Sequence, residues 1–267
     1  MPKRQEIRRA GANSSVDGPR HDALRLETFT LTTTSLQLRL YGPLEIRVAG
    51  VTPPAPRARV VHWLLGLLAL RADRPTDRAW LASLLWPDSS DGQALYNLRR
   101  NLTELRAILG TEACRLASPD PRSIRLDLRD AHCDALAFDD CMSRPDRPSL
   151  ERAIGLYRGP LLEACTADWV LPERHAREQV YLRALEMLAA RSEPREAAAL
   201  LRRALVADPT RESVVCALMQ ALADAGDAAA VTAAYRDFRL RLHREMRLEP
   251  ASQTTEAFER LRSRGPR

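Results

Sequence analysis

From Leu36 the chain alternates. In LQLRLYGPLEIRVAG, Leu36, Leu38 and Leu40 face one way and Gln37 and Arg39 the other. Gly42-Pro43 then turns the chain, and Leu44, Ile46 and Val48 repeat the alternation. That pattern predicts a short antiparallel meander, which VTPPAP breaks. Arg57 to Arg71 is apolar-dense and of helical length. After the turn Ala72–Pro75, Thr76 or Asp77 caps a second helix, RAWLASLLW, stopped by Pro87. A polar link then leads into DGQALYNLRRNLTELRAILG, residues 91–110. Here Leu95, Leu98, Leu102, Leu105 and Leu109 recur at helical spacing, with Asp91 as the cap and Gly110 as the stop. Asn97, Arg99, Arg100, Asn101, Thr103 and Arg106 lie off this stripe. The two alternating runs of CRLASPDPRSIRLDL flank Pro119–Arg122 and predict a β-hairpin. Sheet, three helices and hairpin is the order of a winged helix, and beyond residue 130 the pattern is helical throughout.

The expected fold class is therefore mainly α with a small β component: a winged helix-turn-helix over 36–130, followed by an α-helical tetratricopeptide-like domain over 131–267. Residues 1–35 have mixed charge and little periodicity and are read as a disordered leader.

Charge sharpens this division. The net charge is +6, but residues 131–267 carry twenty-one groups of each sign, whereas residues 36–130 carry fourteen Arg against ten acids. Lys3 is the single lysine. Arginine is the better fork for phosphate and guanine, and Asn pairs with adenine, so an exposed helical face of Arg, Asn and Thr suits a DNA major groove. Five cysteines are scattered with no CxxC pair, and with no signal peptide they are expected as reduced intracellular thiols. No phosphate loop, dinucleotide fingerprint or nucleophile elbow occurs, so no enzyme activity, cofactor or metal is expected. No apolar run approaches membrane-spanning length, and a cytoplasmic protein is expected.

The run from Arg74 to Gly110, with LLWPD between helices and LRxxLxxLRxxLG at its end, resembles the DNA-binding domain of bacterial transcriptional activators of the SARP type, which share an OmpR-like winged helix. Asp134 and Phe138 resemble the family's Asp-x3-Phe junction after the wing. LYRGPLLE (156–163) and Trp169 resemble the bacterial transcriptional activator domain (BTAD). Ala197, Leu201, Ala204 and Pro209 fall at tetratricopeptide-like offsets, and Gly226, Phe238, Leu242 and Pro250 fit the same template, shifted. The resemblance covers the chain from about Leu36 onward.

It implies sequence-specific binding of duplex DNA, with activation of transcription by the helical half through RNA polymerase and self-association on tandem DNA repeats. Asn97, Arg100, Asn101, Thr103 and Arg106 match the groove-facing positions, Arg78 and Trp86 match phosphate-holding positions on the second helix, and the hairpin tip near Arg122 and Ser123 would reach an adjacent backbone or minor groove. The chain departs from the family at that tip, where PDPRSI replaces the usual Gly-Tyr wing. Glu104, on the edge of the helix, would repel phosphate. The alternative is a tetratricopeptide-type adaptor whose winged helix binds protein.

Overall fold

The computed structural model describes residues 35–263. The leader expected over 1–35 lies, apart from Ser35, outside the described residues. Strands β1 (Leu36–Arg39) and β2 (Glu45–Val48) form the expected antiparallel pair, with Leu36, Leu38, Leu40 and Ile46 turned into the core. Helix α1 (Val60–Leu70) follows. Its apolar residues run nearly all round it, and it is accordingly buried along most of its length. Asp77 accepts the backbone N–H of Trp80 at 2.8 Å and so caps α2 (Arg78–Leu85). Helix α3 (Asp91–Leu109) ends at Gly110, whose φ of +53° needs a residue without a Cβ. Its N-cap is Ser90 rather than the expected Asp91, which sits within the first turn, where a carboxylate is favoured by the helix dipole.

A 3-10 turn, Gly110–Arg115, leads into the hairpin of β4 (Leu116–Ala117) and β5 (Ser123–Leu126). The two-residue strand β3 (Thr76–Asp77) pairs with the other edge of β5, so the wing sheet has the order β3-β5-β4. One further strand, β6 (His132–Cys133), runs parallel to β1 and completes the first sheet, of order β2-β1-β6. Neither β3 nor β6, at two residues each, is long enough to show alternation in the sequence.

Seven helices complete the described chain: α4 (Asp134–Ser143), α5 (Arg147–Leu156), α6 (Val170–Ala189), α7 (Pro194–Ala207), α8 (Glu212–Asp224), α9 (Ala228–Met246) and α10 (Ser252–Ser263). The repeat positions Ala197, Leu201, Ala204, Phe238 and Leu242 are buried, as expected for stacked helix pairs. Gly226, at φ +80°, turns the chain between α8 and α9, and Asp227 caps α9 by accepting the N–H of Ala230 at 2.9 Å.

The first sheet is held to the helical half by backbone as well as by packing. Leu162 donates its N–H to the Leu40 carbonyl (2.7 Å), Glu163 donates to Gly42 (3.1 Å), and Gly42 donates to Pro160 (3.0 Å). LYRGPLLE therefore pairs with Leu40, Tyr41 and Gly42, just past the end of β1. The Arg174 guanidinium on α6 holds the loop from the other side, bonding the carbonyls of Leu161, Leu162, Glu163 and Cys165. Phe138 meets the ring of Tyr41 edge-on, with centroids 5.3 Å apart. Two of the motifs that carried the family resemblance, Asp134/Phe138 and LYRGPLLE, supply residues that build this seam. The described residues form one compact unit, with an apolar core continuous from Leu36 to Leu261.

Candidate nucleic-acid interface

Helix α3 packs against α1 and α2, with Ala94, Leu98, Asn101, Leu102, Leu105, Ile108 and Leu109 buried. Of the expected stripe, Leu95 is only half-buried. The opposite face is open to solvent. At 3.6 residues per turn, Gln93, Tyr96, Arg99, Arg100, Thr103 and Arg106 share that side. All are exposed except Arg106, which is half-buried. Arg99 and Arg106, two turns apart, form the edge facing the N-terminus of α2.

Arg78 opens α2. Its backbone N–H bonds the Arg122 carbonyl at 2.8 Å, its Nε bonds the Ser123 carbonyl at 3.2 Å, and an Nη bonds Ser118 Oγ at 2.8 Å. The wing thus holds the fork of Arg78 in one orientation with donors left over, since a guanidinium carries five N–H groups. Burial pushes the Arg78 guanidinium below its ordinary pKa, and the positive charges of Arg106 and Arg99 push it down further. The three cations are near enough to repel one another. Among the described residues, none of Arg78, Arg99, Arg100, Arg106 and Arg122 joins an ion pair. Unneutralised like charges on a folded surface raise its free energy until an anion arrives.

Several expected site residues lie elsewhere. Asn101 does not face solvent. It is 8% exposed and bonds the carbonyl of Asn97 with its amide at 2.7 Å. Position 101 lies one turn from both Leu98 and Leu105, and this bond back onto the previous turn lets an amide sit among leucines. Asn97 is half-buried at the edge of the open face and accepts from Gln93 Nε2 at 3.1 Å. Trp86 is the C-cap of α2 and packs against the core. Ser123 is also 8% exposed, and its hydroxyl is taken by the carboxylate of Asp120.

Asp120 further accepts the backbone N–H groups of Arg122 (2.7 Å) and Ser123 (2.9 Å). The Ser123 bond, then the Arg122 N–H, hold its carboxyl below the usual range. The hairpin tip is therefore a closed turn, at which Arg122 is exposed beside Pro119, Asp120 and Pro121. Thr103 is exposed, with its hydroxyl bonded to the Arg99 carbonyl at 3.1 Å. Glu104 leaves the open face altogether and accepts the backbone N–H of Arg57 at 2.5 Å, at the edge away from Arg99 and Arg106.

Two aromatic residues were missed by the reading of the sequence. Tyr96 is 57% exposed on α3 and lies off the leucine stripe, a signal that was visible. Trp80 stands on α2 with the Arg71 guanidinium 4.2 Å from its ring centre, a contact between elements that no local pattern encodes.

Residues 128–262 match the family described as "Bacterial transcriptional activator domain", BTAD. No curated protein matches the chain. Among solved structures, Mycobacterium tuberculosis EmbR, in complex with a low-affinity phosphopeptide, aligns with a TM-score of 0.69 at 22% sequence identity. The alignment covers 87% of this chain and 66% of that one, so the chain spans just under two thirds of the length of its solved relative. That likeness is one of fold, and it includes the α-helical tetratricopeptide-like half with its small β component. With half of the chain inside the domain match, the protein belongs to the bacterial transcriptional activator domain family and has the architecture of a SARP-type activator.

Proposed function

We propose that the protein is a sequence-specific, duplex-DNA-binding regulator that activates transcription, with α3 as the reading helix in the major groove. The observation that carries this reading is the set of unpaired guanidinium groups on Arg78, Arg99 and Arg106 beside the open polar face of α3. Arg78, held by the wing, is suited to a backbone phosphate, which fixes register. Arg99, Arg100, Thr103 and Arg106, with Gln93 and Tyr96, are the side chains in place to meet base edges or phosphates. Arg122 is the wing's contribution.

In this reading residues 36–130 contact DNA and residues 131–267 contact RNA polymerase, with self-association of two copies on tandem repeats. The even charge balance of the helical half suits a protein contact better than a nucleic-acid one. No helix among the described residues is long and apolar enough to cross a membrane.

The test is binding of the full chain to promoter duplexes across a salt series. Affinity should fall linearly on a log–log plot as phosphate contacts release counterions. If no duplex binds at low salt, the DNA reading is wrong and the adaptor alternative takes its place.

A further inference from the structure

A trough runs between the C-terminal part of α7, α8 and the middle of α9, enclosing about 340 Å³. Leu218, Leu222 and Phe238 form its floor. One wall is built of small residues on α9, among them Ala230, Ala233 and Ala234, so that a guest backbone can come close. Val206, 85% exposed, stands at the lip. Arg202 and Arg241 lie on the rim with Asp237 as the one lining acid, and among the described residues neither guanidinium joins an ion pair. An apolar groove rimmed by unpaired charge is a form that interaction sites take.

We infer that this trough is a docking site for an acidic amphipathic helix of a partner protein. The guest's apolar residues, spaced three and four apart, enter the trough, and carboxylates on its flanks meet Arg202 and Arg241. Charge decides the sign of the guest. Of the charged residues lining the trough, the two cations Arg202 and Arg241 outnumber the one acid, Asp237. The apolar floor decides its class, because phosphates and sugars would gain nothing from Leu218, Leu222 and Phe238. The inference goes beyond the DNA reading and does not rest on it, since none of these residues belongs to α3 or the wing.

The test uses the full chain and a fluorescein-labelled designed peptide: helix-favouring, with leucines at three-and-four spacing and glutamates on both flanks. Fluorescence anisotropy should show saturable binding. A peptide with lysine in place of each glutamate should bind at least about tenfold more weakly, as should the acidic peptide to the double variant Arg202→Glu/Arg241→Glu. Ala233→Trp, made at an exposed position, should fill the trough and block binding while the melting temperature holds. DNA affinity of all these variants should equal that of the wild type, which separates failure here from failure of the DNA reading. The inference is overturned if the acidic peptide does not bind, if the lysine peptide binds equally well, or if the variants bind like wild type. It is equally overturned if the Arg variants change sedimentation mass and not peptide affinity, because the trough then seats a second copy of the chain.

Discussion

The carboxylate of Asp134 accepts the backbone N–H of Leu40 at 2.7 Å. The residues are 94 positions apart and both are buried. The second oxygen of Asp134 takes the N–H of Tyr41 at 3.1 Å, so one side chain satisfies two main-chain donors at the end of β1. Burial raises the Asp134 carboxyl above its ordinary pKa, and the two N–H donors pull in the opposite direction. This bond joins the first strand of the winged helix to the first turn of the helical half.

Asp134→Ala would leave two buried N–H groups without a partner, at about 1–3 kcal/mol each. The expected outcome is a loss of roughly 2–6 kcal/mol, felt by the whole unit. Trp63 and Trp86 report on one side of the seam and Trp169 on the other, so near-ultraviolet dichroism and intrinsic fluorescence should fall in a single, earlier transition. Two separate transitions would mean that the halves unfold independently. The same bond predicts that a fragment cut after residue 130 is less stable than the full chain, because it loses Asp134, β6 and the partners of Leu40 and Gly42 in 160–163.

Much of this was legible. The leucines of β1 and, except for half-buried Leu95, those of α3, with the Asp77 cap and the Gly110 stop, lie in local periodicity and were found where the pattern put them. What local pattern missed is long-range. β3 and β6 are two residues each and exist only because a distant strand supplies their hydrogen bonds. Asn101 looked like a surface polar residue, since period alone cannot tell an amide that bonds back along its own helix from one that faces water. Glu104 looked like a threat to phosphate binding until the structure showed Arg57 N–H on it. Of the site, the Arg residues were visible in sequence. Their convergence on Arg78, and the hold of the wing on that residue, were not.

Gly66 of α1 is a further point of contact across the seam. A Cβ there would lie 2.7 and 2.8 Å from the two Cδ atoms of Leu162. Leu162 cannot easily retreat: it is 2% exposed, its φ is +48°, and its N–H is fixed on the Leu40 carbonyl. In an open helix Gly→Ala would stabilise by up to about 1 kcal/mol. Here overpacking should win, and Gly66→Ala should cost about 1–3 kcal/mol. Leu162→Ala alone removes buried apolar volume and should cost about 2–5 kcal/mol. Combined, the two should cost less than their sum, because each relieves the other's defect. Urea denaturation of the four proteins measures this coupling, and strict additivity would mean the contact is not felt.

Acid should loosen the wing end of the winged helix through Glu112. Its carboxyl is bonded by Arg115 Nε at 2.5 Å and Ser35 Oγ at 2.9 Å, and Arg115 in turn bonds the carbonyl of Arg129 at 2.6 Å. The Arg115 bond is the main cause that holds Glu112 below its ordinary pKa of 4.5. A depressed carboxyl stabilises the fold only while ionised. Its contribution is complete above the unfolded value and is lost as the pH falls through the lower folded one. Asp134, with a raised pKa, has the opposite sign and cannot mimic this loss. Urea midpoints recorded downward from neutral pH should therefore drop below pH 4.5 in the wild type and drop less in Glu112→Gln. Identical acid sensitivity in both would assign the loss to other carboxylates.

The open face of α3 makes the sharpest prediction, because stability and binding should separate there. Arg100 is exposed and Arg106 is half-buried with no ion pair, so neither Arg100→Ala nor Arg106→Ala removes core packing. Arg106→Ala also relieves repulsion on Arg78, and its melting temperature should hold or rise slightly. Both should weaken DNA binding. Loss of a phosphate contact lowers affinity for all sequences alike and reduces the salt slope by about one unit, whereas loss of a base contact costs roughly 1–3 kcal/mol and relaxes specificity at one position. Asn101→Ala, which touches the buried side, should leave affinity unchanged per folded molecule. Leu102→Ala is the opposite control: at 1% exposure it should destabilise by roughly 2–5 kcal/mol and lose binding only as the domain melts. Melting curves and duplex affinities of the four variants, taken together, give the answer. Arg variants that stay folded and bind like wild type would show that this face does not read DNA.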